Sequence, residues 1–140
     1  MLGKLKNIFG RQVPDKGLTV LVVEDSQVDQ RLVVATLERA GYKALLAENG
    51  QAGVDMAKAQ KPDLILMDCE MPVMGGVAAC EVLKEDEQTK NIPVIFLTSL
   101  DTPKNVVDCF EKDAENFLTK PVNPSLLLKE IEGSLKRKTS

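Results

Sequence analysis

Short apolar runs alternate with amphipathic stretches along almost the whole chain, and this alternation narrows the fold more than any other feature. Residues 19–23 form a β-branched run that reads as a strand. Residues 26–40 follow as a helix, with Val28, Leu32, Ala35 and Leu37 near helical spacing and Gly41 as the stop signal. Residues 43–47 predict a second strand, and Asn49-Gly50 turns the chain into a helix that ends before Pro62. Residues 63–67 carry Leu64, Ile65, Leu66 and Met67, a continuous apolar run expected of a strand buried on both faces. A loop through Gly75-Gly76 leads to a helix ending near Asp86, and residues 93–97 form a fourth buried strand. A helix over 102–112, a short strand over 116–118 and a last helix over 124–136 complete the pattern. Five strands alternating with five helices predict an α/β fold, doubly wound, with a five-stranded parallel sheet. The expected organisation is a leader over 1–17, one domain over 18–137 and a tail over 138–140; 140 residues leave little room for a second domain.

Composition removes several kinds of chemistry. The chain has no histidine, which excludes Ser-His-Asp and Cys-His catalysis and HExxH zinc sites. A net charge of −3 argues against electrostatic nucleic-acid binding. Cys69, Cys80 and Cys109 form no CxxC pair and read as reduced core thiols, consistent with a cytoplasmic protein. Carboxylates, lysines and hydroxyls remain, and these suit hard cations and phosphate.

In open parallel sheets, ligands bind beyond the carboxyl ends of the strands, where strand order reverses. The residues at those ends are Glu24 and Asp25, then Asp68, then Thr98 and Ser99, then Lys120. Taken singly, each has a plain explanation as a helix cap, a turn or a surface loop. Taken together, they place oxygen-ligand and phosphate chemistry at one edge of the sheet. Three adjacent carboxylates repel one another unless a partner relieves them, and Mg²⁺ suits such a set. Lys120 supplies a point charge for a phosphoryl oxygen, and Thr98 supplies a hydroxyl donor. The backbone N–H groups of Cys69 and Ser99 are expected to add further donors. An aspartate carboxylate can act as a nucleophile and form an acyl phosphate, which such a surround would stabilise.

The segments V-L-V-V-E-D-S at 20–26, D-L-I-L-M-D-C-E-M-P at 63–72, G-G at 75–76, I-P-V-I-F-L-T-S at 92–99 and F-L-T-K-P at 117–121 resemble the receiver domain of two-component response regulators. The likeness runs from about residue 18 to 136. It implies a flavodoxin-like receiver fold with strand order 2-1-3-4-5. It also implies that Asp68 is the phosphoacceptor and that Mg²⁺ is held by Glu24, Asp25, Asp68 and the backbone carbonyl of Glu70. Thr98 and Phe117 match the paired switch positions, and Lys120 matches the phosphate-pairing lysine. The implied donor is a phosphohistidine on a histidine kinase or histidine phosphotransfer protein. Ser99, Phe117 in place of a frequent tyrosine, and Leu100 beside the acceptor depart from the commonest pattern or tune it, and Leu100 is expected to shield the acyl phosphate from water.

No output domain follows the last helix, so the expected output is a protein-binding surface over 102–136, not an enzyme activity or direct nucleic-acid contact. Residues 1–11 interleave Leu2, Leu5, Ile8 and Phe9 with Lys4, Lys6 and Arg11. They read as a loose leader, with a membrane-surface helix as the alternative. Two rival readings use the same residues: an aspartate-nucleophile phosphatase, and a degenerate receiver that binds partners without phosphate.

Overall fold

A computed structural model describes residues 4–6, 12–71, 74–99 and 116–139. The elements in chain order are β1 (Lys4–Lys6), β2 (Gln12–Pro14), β3 (Thr19–Val23), α1 (Gln27–Arg39), β4 (Lys43–Ala47), α2 (Gly50–Gln60), β5 (Leu64–Asp68), α3 (Gly76–Glu85), β6 (Val94–Thr98), β7 (Asn116–Thr119) and α4 (Pro124–Thr139). The helix expected over 102–112 lies outside the described residues, as do Leu100 and Cys109.

The main sheet is parallel, in the order β4-β3-β5-β6-β7. Counted from Thr19, this is the expected order 2-1-3-4-5. The order reverses between β3 and β5, so the carboxyl ends of those two strands flank the switch point. Side chains alternate across each strand and feed two cores. Val20, Val22, Leu64, Leu66, Ile95 and Leu97 pack with Val33 and Leu37 of α1 and Leu127 and Ile131 of α4. Leu21, Val23, Ile65, Met67, Val94 and Phe96 pack on the other face with Val54 and Ala57 of α2 and Ala79 and Leu83 of α3. Burial on both faces is why these strands are continuous apolar runs without polar alternation.

Local signals set the helix ends. The Ser26 hydroxyl caps α1 by accepting from the Asp29 N–H, and the Asn49 side chain caps α2 by accepting from the Ala52 N–H. Gly41, at φ +91°, closes α1, and its carbonyl accepts the Lys16 N–H. The face α1 buries is the expected one only in its second half, where Ala35 and Leu37 are buried. Val28 is 77% exposed and Leu32 lies at the surface, whereas Gln30, Val33 and Leu37 face inward. The i, i+3, i+7 stripe runs through Gln30, a polar residue whose amide is satisfied by the Glu24 carbonyl.

Residues 4–6, 12–14 and 138–139 carry regular structure that the sequence does not suggest. β1 and β2 pair antiparallel, with Leu5 opposite Val13, so residues 4–6 are a strand and not part of a membrane-surface helix. The ammonium of Lys16 lies 4.5 Å from the centre of the Tyr42 ring, which ties the segment after β2 to the turn after α1. At the other end α4 continues to Thr139, through most of the stretch expected to be a solvated tail. No described helix is long and apolar enough to cross a membrane.

The start of α3 abuts the end of β5. A Cβ at Gly76 would sit 2.2 Å from the Asp68 carbonyl oxygen, whereas one at Gly75 would meet nothing closer than the Cys69 carbonyl oxygen at 3.6 Å. Gly76→Ala should therefore destabilise by about 1–3 kcal/mol, while Gly75→Ala stays within about 0.5 kcal/mol. Urea unfolding of the two variants side by side checks this difference.

Candidate functional site

β3, β5, β6 and β7 end on the same edge, because a parallel sheet aligns all carboxyl ends. Asp68 is the last residue of β5 and Thr98 the last of β6; both are buried. Each strand reaches one residue further than expected, so these two side chains are set by the rigid ladder and not by a loop. Glu24 follows β3 directly and is fully buried, while Asp25 beside it is exposed. Lys120 follows β7, and its backbone N–H donates to the Thr98 carbonyl at 2.7 Å.

The Lys120 ammonium draws the site together. It lies 2.8 Å from Glu24 Oε2, 3.2 Å from Asp29 Oδ2 and 3.4 Å from Asp68 Oδ2. Burial alone would make this lysine easier to deprotonate, but Glu24, Asp68 and Asp29 outweigh that and hold it charged, with its pKa raised. Burial pushes the Glu24 carboxyl up to about 7; Lys120 and the Ser26 N–H oppose this rise, and Asp68 adds to it. Asp29, on the first turn of α1, was not among the residues expected at the site. Its side chain points from a helix rather than a strand end, and nothing in the spacing marks it.

Among the described residues, Glu24, Asp25 and Asp68 form a group whose ligand oxygens lie within 4.8 Å of one another. Clustered carboxylate oxygens of this kind are the donors that a hard cation takes. Oxygen-only donors with no nitrogen or thiolate favour Mg²⁺ over zinc.

The backbone N–H groups at this edge already have partners of their own. The Cys69 N–H is donated to the Leu97 carbonyl at 3.1 Å, because the ladder between β5 and β6 continues one residue past Asp68. The N–H at the Asp68 carboxylate is instead that of Glu70, donated to Oδ1 at 3.1 Å. Ser99 sits half-buried just past β6. The Cys69 thiol is pushed up to about 12, first by burial and then by Asp68 and Glu70, which makes it a protonated core group. Cys80 is likewise a buried thiol. Phe117 stands opposite Phe96 in the register of β6 and β7 and is 39% exposed at the surface.

The raised Glu24 pKa carries a pH dependence. An unfolded glutamate releases its proton near 4.5, while the folded one keeps it to about 7, so the folded state binds more protons between these values. Stability of the metal-free protein should therefore fall as pH rises through that window, by roughly 3 kcal/mol relative to Glu24→Gln. Parallel thermal melts of the two proteins from pH 4 to 8 check the sign and size.

Comparison with known proteins agrees with this arrangement. Residues 20–132 match the family described as response regulator receiver domain. The chain is 40% identical over 116 residues to PilH of Pseudomonas aeruginosa, covering 83% of this chain and 96% of PilH. It is 36% identical over 121 residues to the phosphate regulon transcriptional regulatory protein PhoB of the same organism, covering 86% of this chain but 53% of PhoB. The chain thus spans nearly all of one relative and about half of the other. Among solved structures, it is similar to the receiver domain of sensor histidine kinase PA1611 from Pseudomonas aeruginosa, which has a magnesium ion in its active-site cleft. The TM-score is 0.79 at 29% identity, covering 85% of this chain and 98% of that one. Strand order, the acidic group at the switch point and a match over most of the sequence converge: this chain belongs to the response regulator receiver domain family of two-component systems.

Proposed function

We propose that this chain is a signalling switch set by phosphorylation of Asp68. The observation that carries the reading is the packing of Glu24, Asp25 and Asp68 around one edge of the sheet, with the Lys120 ammonium bridging Glu24 and Asp68. In this reading a carboxylate oxygen of Asp68 attacks the phosphorus of a phosphohistidine on a histidine kinase or histidine phosphotransfer protein. A P–O bond forms, the P–N bond breaks, and the imidazole leaves with the electron pair. Glu24, Asp25, Asp68 and the backbone carbonyl of Glu70 would hold Mg²⁺, which supplies positive charge to the phosphoryl oxygens when bound. Lys120 offsets charge on a phosphoryl oxygen, and the Thr98 hydroxyl and the Ser99 N–H offer hydrogen bonds to the others. The Glu70 N–H already lies at the Asp68 carboxylate and is a more natural donor than that of Cys69.

The output follows by population shift. Movement of Thr98 toward the phosphoryl group would favour one placement of Phe117, and a partner protein that prefers that state would bind better. The described part of the proposed partner surface is β7 and α4, where Phe117 and Leu126 are exposed. We take 18–137 as the switch unit and the strands of 1–17 as an addition to it. Signalling, not turnover of a substrate, is the proposed activity, as is typical of the family.

Incubation with acetyl phosphate and Mg²⁺ tests the reading. Intact mass should rise by one phosphoryl group, and Asp68→Asn or a chelator should abolish the rise. An unchanged mass with both acetyl phosphate and a histidine kinase would overturn it.

A further inference from the structure

Asp29 is the site residue with no role so far. It is the third residue of α1, where an acid after a serine cap commonly turns back to accept the cap's own N–H. Here that N–H is already taken, because Ser26 donates it to Glu24 Oε1 at 3.1 Å. The Asp29 carboxylate instead lies 3.2 Å from the Lys120 ammonium. Glu24 thus acts twice: it completes the helix cap, and it frees Asp29 to face the lysine.

An ammonium has three hydrogens, and Lys120 has three carboxylates around it. Glu24 and Asp29 belong to the β3–α1 junction, and Asp68 belongs to β5. A lysine stem is flexible, and an ammonium held by one acid alone can swivel about that contact. With Glu24 and Asp29 taking two hydrogens, one remains, and Asp68 Oδ2 at 3.4 Å is the remaining carboxylate beside it. Asp29 is 29% exposed at its side chain and Lys120 only 19%, so the pair is partly shielded from water and salt.

We propose that Asp29 is a positioning residue: together with Glu24 it anchors the Lys120 ammonium so that its remaining hydrogen faces Asp68. Resting on the reading above, it then also faces a phosphoryl group placed on Asp68. Asp29 touches neither the phosphoryl group nor its donor and acts only through the lysine. Its negative charge works against the same event, since a fourth carboxylate near the site repels an incoming phosphoryl group. Anchoring and repulsion therefore predict opposite outcomes when Asp29 is removed.

The test uses the full chain with Asp29→Ala, which removes acceptor and charge, and Asp29→Asn, which removes charge and keeps an acceptor. One readout is exchange of the Lys120 ammonium hydrogens with water, followed by ¹⁵N NMR on unphosphorylated protein. The other is the rate of phosphorylation by acetyl phosphate with Mg²⁺. Anchoring predicts exchange about tenfold faster and phosphorylation about tenfold slower in Asp29→Ala, with both effects cut to about threefold in Asp29→Asn. A helix-capping role alone would lower the melting temperature and leave exchange as in the wild type, and that result overturns the proposal. Faster phosphorylation in both variants also overturns it, in favour of repulsion. If Asp29→Ala folds poorly, Asp29→Asn decides: exchange equal to the wild type counts against anchoring. If the wild type itself takes no phosphoryl group, the proposed function fails, and the exchange measurement still decides whether Asp29 anchors Lys120.

Discussion

The contact between the Lys120 ammonium and the carboxylates of Glu24, Asp29 and Asp68 is the constraint on which the site depends. Glu24 is fully buried and Asp68 nearly so, and uncompensated negative charge at such positions is costly. One lysine from the far end of the chain offsets it, 96 residues from Glu24 in sequence. The same contact holds the end of β7 against the ends of β3 and β5 and the start of α1. Folding thus brings together groups that repel one another, and Lys120 offsets part of that repulsion.

The sheet makes this arrangement possible. Strands buried on both faces between two helical layers have little freedom to shift, because a one-residue slip would exchange the two cores. Asp68 and Thr98 are the last residues of such strands and inherit that rigidity. Close backbone approaches finish the edge. A Cβ on Gly50 would sit 2.1 Å from the Met74 carbonyl oxygen, and the Gly50 N–H donates to that oxygen at 3.1 Å. Met74 is thereby held against the start of α2.

Much of this was legible in the residues. The strand at 19–23 and the helix stops at Gly41 and before Pro62 follow from side-chain shape and backbone preference, which act locally. What the residues did not reveal depends on neighbours. Val28 and Leu32 look like core residues beside Ala35 and Leu37, yet they lie at the surface while Gln30 and Val33 face inward, the Gln30 amide donating to the Glu24 carbonyl. The Cys69 N–H looks available for an anion, yet the ladder to Leu97 uses it. Residues 1–11 read as a loose leader, yet residues 4–6 pair with 12–14. Asp29 is one more acid in a first helical turn until Lys120 arrives from the other end of the chain.

The sequence by itself determined the α/β class, the element order and which residue types stand at the strand ends, because periodicity, turn chemistry and apolar runs are properties of short segments. Only the tertiary structure decided which of those side chains meet. It placed the Lys120 ammonium against Glu24, set the Glu70 N–H at the Asp68 carboxylate, and brought in Asp29. The physical reason is range. Local propensity reaches a few residues along the chain, whereas burial and charge act through space between segments that only the folded sheet brings within about 3 Å.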